Sequence, residues 1–127
     1  MEPDTRLDEL AHRAIGAAID VHRHLGPGYL ESVYEEALAV ELGNRQIPFS
    51  RQPEITVSYK GNEIGKSRLD LLVDDRLIVE LKTVEQLMPV HSAQVISYLK
   101  ASGLQLGLLI NFNVAVLKKG IKRVVLT

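Results

Sequence analysis

The stretch Lys66-Ser67-Arg68-Leu69-Asp70-Leu71-Leu72-Val73-Asp74-Asp75-Arg76-Leu77-Ile78-Val79-Glu80-Leu81-Lys82 reads as two strands, 64–73 and 77–82, folded back on one another. Side chains alternate between the faces of a strand, so the length of the connecting loop decides which residues share a face. A two-residue loop, Asp74-Asp75, would set Val73 against Arg76 and Leu69 against Glu80. A three-residue loop, Asp74-Asp75-Arg76, sets Val73 against Leu77, Leu71 against Val79 and Leu69 against Leu81. Six aliphatic side chains then share one face, each worth about 1.5–3 kcal/mol when buried. Burial selects the second register.

That register fixes the opposite face as well. Asp70 comes to lie across from Glu80, with Cβ atoms about 5 Å apart, while Lys66 and Arg68 precede Asp70 and Lys82 follows Glu80 on the same side. Like charges directly opposed are destabilising, so a positive charge is expected between them. Lys82 or Arg68 supplies it in one reading and a divalent cation in the other. Hard cations prefer carboxylate oxygens, and Mg²⁺ typically takes one or two carboxylates together with waters and phosphate oxygens. Such an ion could activate water against a phosphodiester, with Lys82 orienting the water or stabilising developing charge.

Outward from the hairpin, Asp4 or Thr5 is expected to cap a helix running to about His24, with Leu7, Leu10, Ala11, Ala14, Ile15, Ala18 and Ile19 on its apolar face. Gly26-Pro27-Gly28 ends it. A second helix spans about 30–45, and from Phe49 the period changes to two, giving a strand around 55–59 and a turn at 60–63. After Lys82 a loop around Met88-Pro89 leads to a helix opened by His91 or Ser92 and closed by Gly103. An apolar strand over 106–112 follows, and then a terminal hairpin of 114–117 with 123–126. The expected order is α-α-β-β-β-α-β-(β), read as one domain over 1–127.

The chain has 127 residues, with 15 Lys+Arg against 16 Asp+Glu and no cysteine. Disulfides, thiolate metal sites and a cysteine nucleophile are excluded. The near-neutral total hides a gradient: residues 1–41 carry nine acids and three bases, whereas 100–127 carry five bases and no acid. Lys118, Lys119, Lys122 and Arg123, with Lys100, form the candidate phosphate contact or, in the plainer reading, a solubilising hairpin tip. Acidic helices and a basic C-terminus could also complement each other between subunits. No apolar stretch of about 18 residues exists and the first residues are acidic, so a cytoplasmic protein without a membrane segment is expected. His22 and His24 lack the spacing of a helical metal pair, which argues against zinc.

Asp70 followed by Glu80-Leu81-Lys82 resembles the signature of the PD-(D/E)XK nuclease superfamily, and the α-β-β-β-α-β order from residue 30 resembles its common core. Gly28-Tyr29-Leu30-Glu31-Ser32-Val33-Tyr34 is similar to the motif that names the GxxExxY protein family, a small-domain branch of that superfamily. Leu69 stands where the superfamily's name has proline. The resemblance implies an α/β (α+β) fold with a restriction-endonuclease-like core αβββαβ, a mixed central sheet flanked by helices. It implies Asp70 and Glu80 as metal ligands, the Leu81 carbonyl as a third, and Lys82 as the catalytic lysine. Glu31 matches the acid that the first core helix directs towards the metal. In the plainer reading it complements the helix dipole. Gln94 and Tyr98, at i and i+4, resemble the Gln-x-x-x-Tyr element of exonuclease-like branches, or form a polar helix edge. His91 and Arg68 complete the candidate cleft. The function implied is a Mg²⁺- or Mn²⁺-dependent nuclease acting on DNA. The rival expectation is a catalytically silent nuclease-fold module that binds nucleic acid or a protein partner, and a third is a structural homo-oligomer.

Overall fold

In the computed structural model, which describes residues 3–126, Thr5–Leu25 forms helix α1. The Asp4 carboxylate accepts the Leu7 N–H at 2.8 Å, satisfying a first-turn donor that the helix itself leaves free. One face buries Leu7, Leu10, Ala11, Ala14, Ala17, Ala18 and Val21. Its alanines let α1 approach closely to α2, Glu31–Asn44, and to the sheet beneath.

The strands are β1 (Phe49–Arg51), β2 (Glu54–Tyr59), β3 (Asn62–Arg68), β4 (Leu71–Val73), β5 (Leu77–Lys82), β6 (Leu106–Asn111) and β7 (Ile121–Val125), with α3 at Pro89–Ser102. Five of them form one sheet in the order β1-β4-β5-β6-β7, and β2 and β3 pair as a separate hairpin. Only β5 and β6 run parallel within the larger sheet. Parallel neighbours need a crossover, and α3 provides it. The α1–α2 layer closes one core, containing Leu38, Leu42, Tyr34, Leu71, Val79, Leu81, Ile110 and Phe112. Under α3 a smaller core gathers Leu69, Ile78, Val95, Leu99, Leu109 and Val124. Gly107 makes that second contact possible, since a Cβ there would stand 2.6 Å from a Val95 methyl. The result is the expected α+β arrangement, a mixed sheet with helices on both faces.

The hairpin has the register that burial demands: Leu71 pairs with Val79, Leu72 with Ile78 and Val73 with Leu77. Asp74 and Asp75 take φ of 51° and 55°, and the Arg76 N–H returns to the Val73 carbonyl at 3.1 Å. Left-handed turns of this kind match the twist of the flanking strands.

Three expectations are corrected. The strand expected over 64–73 is broken at Leu69-Asp70, because Leu69 N–H bonds the Pro53 carbonyl at 3.1 Å and Gln52 N–H bonds the Asp70 carbonyl at 2.9 Å. The chain changes partners there, so Leu69 turns into the core under α3 and five of the six aliphatic residues share the other face. The hairpin of 114–117 with 123–126 does not form. Leu117–Gly120 is a 3-10 helix, and β7 pairs instead with the apolar edge of β6, Leu106 against Val125 and Ile110 against Ile121. Finally, α3 begins at Pro89, ahead of His91 and Ser92, since proline is tolerated in a first turn where its missing N–H is not needed.

Candidate active site

The break at Leu69-Asp70 builds the site. Freed from the ladder, Asp70 N–H donates to Glu80 Oε1 at 2.8 Å, and Asp70 Oδ2 accepts the Leu81 N–H at 2.8 Å. The two acids thus meet by exchanging side-chain and backbone contacts, and no cationic side chain separates them. The Leu81 carbonyl lies on the same side of β5 as its N–H, because the next residue, Lys82, turns its carbonyl the other way to accept the Phe112 N–H at 3.0 Å. The Leu81 carbonyl thus faces the same side of β5 as the Asp70 carboxylate that its N–H binds.

Burial governs their charge. Glu80 is 3% exposed, and burial together with the negative charge of Asp70 pushes its carboxyl up to about 8. Asp70 is raised by burial, against the pull of the Leu81 N–H. Glu31 is raised by burial and then by the Asp70 charge, with Lys82 opposing. Burial and mutual repulsion thus shift both acids of the pair towards the protonated form, Glu80 the further. None of Glu31, Asp70 and Glu80 forms an ion pair among the described residues.

Lys82 follows on the same strand, and its Nζ donates to Gln94 Oε1 at 3.2 Å. Tyr98, one helical turn after Gln94, lies close enough to the acids that burial and the charges of Glu80 and Asp70 raise its phenol, with Gln94 opposing. So Glu31, Asp70, Glu80, Leu81, Lys82, Gln94 and Tyr98 are brought together. Arg68 points away, pairing with Glu54 at 3.8 Å. His91 Nδ1 accepts the Met88 N–H at 2.9 Å and closes the start of α3. Lys118, Lys119 and Lys122 are exposed, whereas Arg123 is engaged by Asp8 of α1.

Sequence reading passed over two neighbours. Glu35 is buried, and its carboxylate takes Arg51 at 2.9 Å and Gln52 at 3.4 Å while its charge acts on Asp70 and Glu31. Its position one helical turn after Glu31 was the available signal. Asn111, paired with Lys82 across the parallel strands, binds Val84 through both side-chain atoms at 3.1 and 2.8 Å and pins the segment leaving the site. The signal was a lone amide in the apolar run 106–112.

The chain's N-terminal motif now has a local account. Gly28 has a φ of 112°, open to glycine. The Tyr34 hydroxyl donates to the Gly26 carbonyl and accepts the Tyr29 N–H, and its ring stacks on Phe112 with centroids 4.5 Å apart. This latch sets where α2 begins and hence where Glu31 points.

The family model of the PD-(D/E)XK nuclease superfamily matches residues 8–124, nearly the whole chain. The chain belongs to this superfamily. No curated protein matches it. PD-(D/E)XK nucleases generally use divalent metals, and the residues of this PD-(D/E)XK chain fit one. The donors are all oxygen, and a buried carboxylate beside a half-buried one, neither with an ion-pair partner among the described residues, favours a hard cation. No group of three or more His, Asp or Glu side chains is gathered as a metal cage among the described residues. A two-carboxylate site completed by water and phosphate is the kind Mg²⁺ takes. No described helix is long and apolar enough to cross a membrane.

Proposed function

We propose that the protein is a Mg²⁺- or Mn²⁺-dependent nuclease that hydrolyses phosphodiester bonds of DNA, a cytoplasmic member of the GxxExxY branch working as one domain over 1–127. The observation that carries this reading is the Asp70–Glu80 pair, a half-buried and a buried carboxylate in contact, followed within two residues by a lysine held at 3.2 Å by Gln94. Asp70, Glu80 and the Leu81 carbonyl would hold the ion, with Glu31 as a further carboxylate. When bound, a divalent cation lowers the pKa of its water and neutralises charge on the phosphate.

The chain's own residues supply the rest. Gln94 fixes the Lys82 ammonium at the mouth of the acid pair, where it orients the attacking water and faces the charge that develops on the phosphate. The O–P bond to the leaving oxygen breaks as the water oxygen bonds phosphorus; the water's proton passes through solvent to the leaving oxygen, giving a phosphate monoester and a free hydroxyl. Tyr98 and Gln94 form the cleft wall.

Lys82→Ala tests this directly. DNA cleavage with Mg²⁺ or Mn²⁺ falls by about 10²-fold or more while circular dichroism is unchanged. Cleavage equal to wild type would remove Lys82 from the mechanism. One observation favours a second reading: Asp70 Oδ2 and Glu80 Oε1 are already occupied by backbone N–H groups, as in a self-satisfied, catalytically silent binding module. Calorimetry separates the two, since the silent module takes up no Mg²⁺ at millimolar concentration yet retains nucleic acid or a protein partner.

A further inference from the structure

A second polar groove lies between β2 and the C-terminal half of α3. Thr56, Val57, Ser58, Ser97, Lys100 and Ala101 line a cavity of about 300 Å³. Three hydroxyl residues and a lysine contribute to it, and no carboxylate does. None of those hydroxyls, nor the Lys100 ammonium, has a hydrogen-bond or ion-pair partner among the described residues. Lys66 stands directly across the hairpin from Thr56, exposed and likewise without an acid partner. Glu63, opposite Ser58, marks the far limit of this positive stretch. Lys100 in the last turn also complements the helix dipole, which supplies no counter-anion.

Helix α3 carries residues of both the groove and the candidate active site. Gln94, which holds Lys82, and Ser97 and Ala101 follow at helical steps of three and four, so they share a stripe with Tyr98. From Gln94 to Lys100 the helix advances about 9 Å, at 1.5 Å per residue. Successive phosphates of a B-form strand are about 3.4 Å apart along the axis. The groove therefore sits under three nucleotides from the Lys82 end of the site.

We propose that this groove is a phosphate subsite, binding a backbone phosphate of the same strand whose scissile phosphate reaches Asp70 and Glu80. Lys100 pairs with the phosphate and the hydroxyls donate to its oxygens. The inference takes its ligand class from the nuclease reading and adds where the rest of the strand runs.

The test is the affinity of fluorescent single-stranded oligonucleotides, lengthened one nucleotide at a time from a dinucleotide, with Ca²⁺ present, alongside Mg²⁺-dependent cleavage of the longest. Wild type shows a step in affinity when the strand first reaches the groove. Lys100→Gln loses that step and flattens the salt dependence by about 0.7 in log–log slope, the loss of one phosphate contact on a single strand. Lys100→Arg keeps both. An unchanged step in Lys100→Gln, an equal weakening at every length, or no step in wild type overturns the subsite. A Lys100-dependent step without cleavage supports the subsite and defeats the hydrolase reading. Cleavage with no Lys100 dependence does the reverse.

Discussion

Tyr34 shows how one residue can serve a site it does not enter. Its ring is fully buried against Phe112, and its hydroxyl ties the Gly26 carbonyl and the Tyr29 N–H. The helix start that carries Glu31 rests on that latch. Tyr34→Phe keeps the ring and removes the hydroxyl, leaving the Gly26 carbonyl unpaired at a cost of about 1–3 kcal/mol. The midpoint of urea unfolding should fall accordingly, and any activity should fall with it as Glu31 loses its fixed place. An unchanged midpoint would show that water replaces the hydroxyl. At this scale the sequence was legible where chemistry and register coincide: Asp70 and Glu80 had to meet once Leu71 opposed Val79. How they meet was not legible, because cross-strand pairing places side chains opposite each other and says nothing of a chain that leaves the ladder at Leu69. Of the two side chains that could have lain between the acids, Lys82 is held by Gln94 and Arg68 by Glu54, since pairing across elements depends on tertiary placement.

At the scale of elements, α1, α2 and the β4–β5 hairpin follow from periodicity and turn residues, and the structure has them. The segment after Phe112 did not follow. Its apolar residues alternate well enough to suggest a local hairpin, yet the open edge of β6 offers a longer apolar partner for β7. Gly120 makes the turn into β7 possible, since a Cβ there would stand 2.2 Å from the Asn111 carbonyl oxygen and 3.0 Å from a Val114 methyl. The nearest atom is backbone, so the chain must move. Gly120→Ala is expected to destabilise by about 1–3 kcal/mol, as overpacking does. Because Asn111 neighbours Lys82 and clamps Val84, the variant should also lower any activity by more than its unfolded fraction explains. Activity that tracks the folded fraction alone, measured by cleavage and near-ultraviolet dichroism on one sample, would confine Gly120 to packing.

For the whole molecule, the acid pair links stability to pH and to metal. The folded Glu80 is raised from its ordinary 4.5 to about 8, and Asp70 and Glu31 are raised as well. Between those values the folded chain binds more protons than the unfolded one, so the stability of the metal-free protein must fall as pH rises through this window. Asp4 has the opposite sign, lowered from 3.8 by the Leu7 N–H, and acts below that window. A divalent cation on the pair takes the place of the proton, so its stabilisation must grow with pH. At a hundredfold excess over Kd it amounts to about 2.7 kcal/mol, roughly 10 °C in Tm at about 4 °C per kcal/mol. Thermal scans with chelator and with Mg²⁺ should therefore diverge from pH 5 towards pH 8. Glu80→Gln should flatten the chelator curve, by removing the proton that the folded state retains, and should abolish the divergence. A metal-free Tm that climbs across this window would mean that the pair is hydrated rather than buried. A divergence that survives in Glu80→Gln would place the cation elsewhere on the chain.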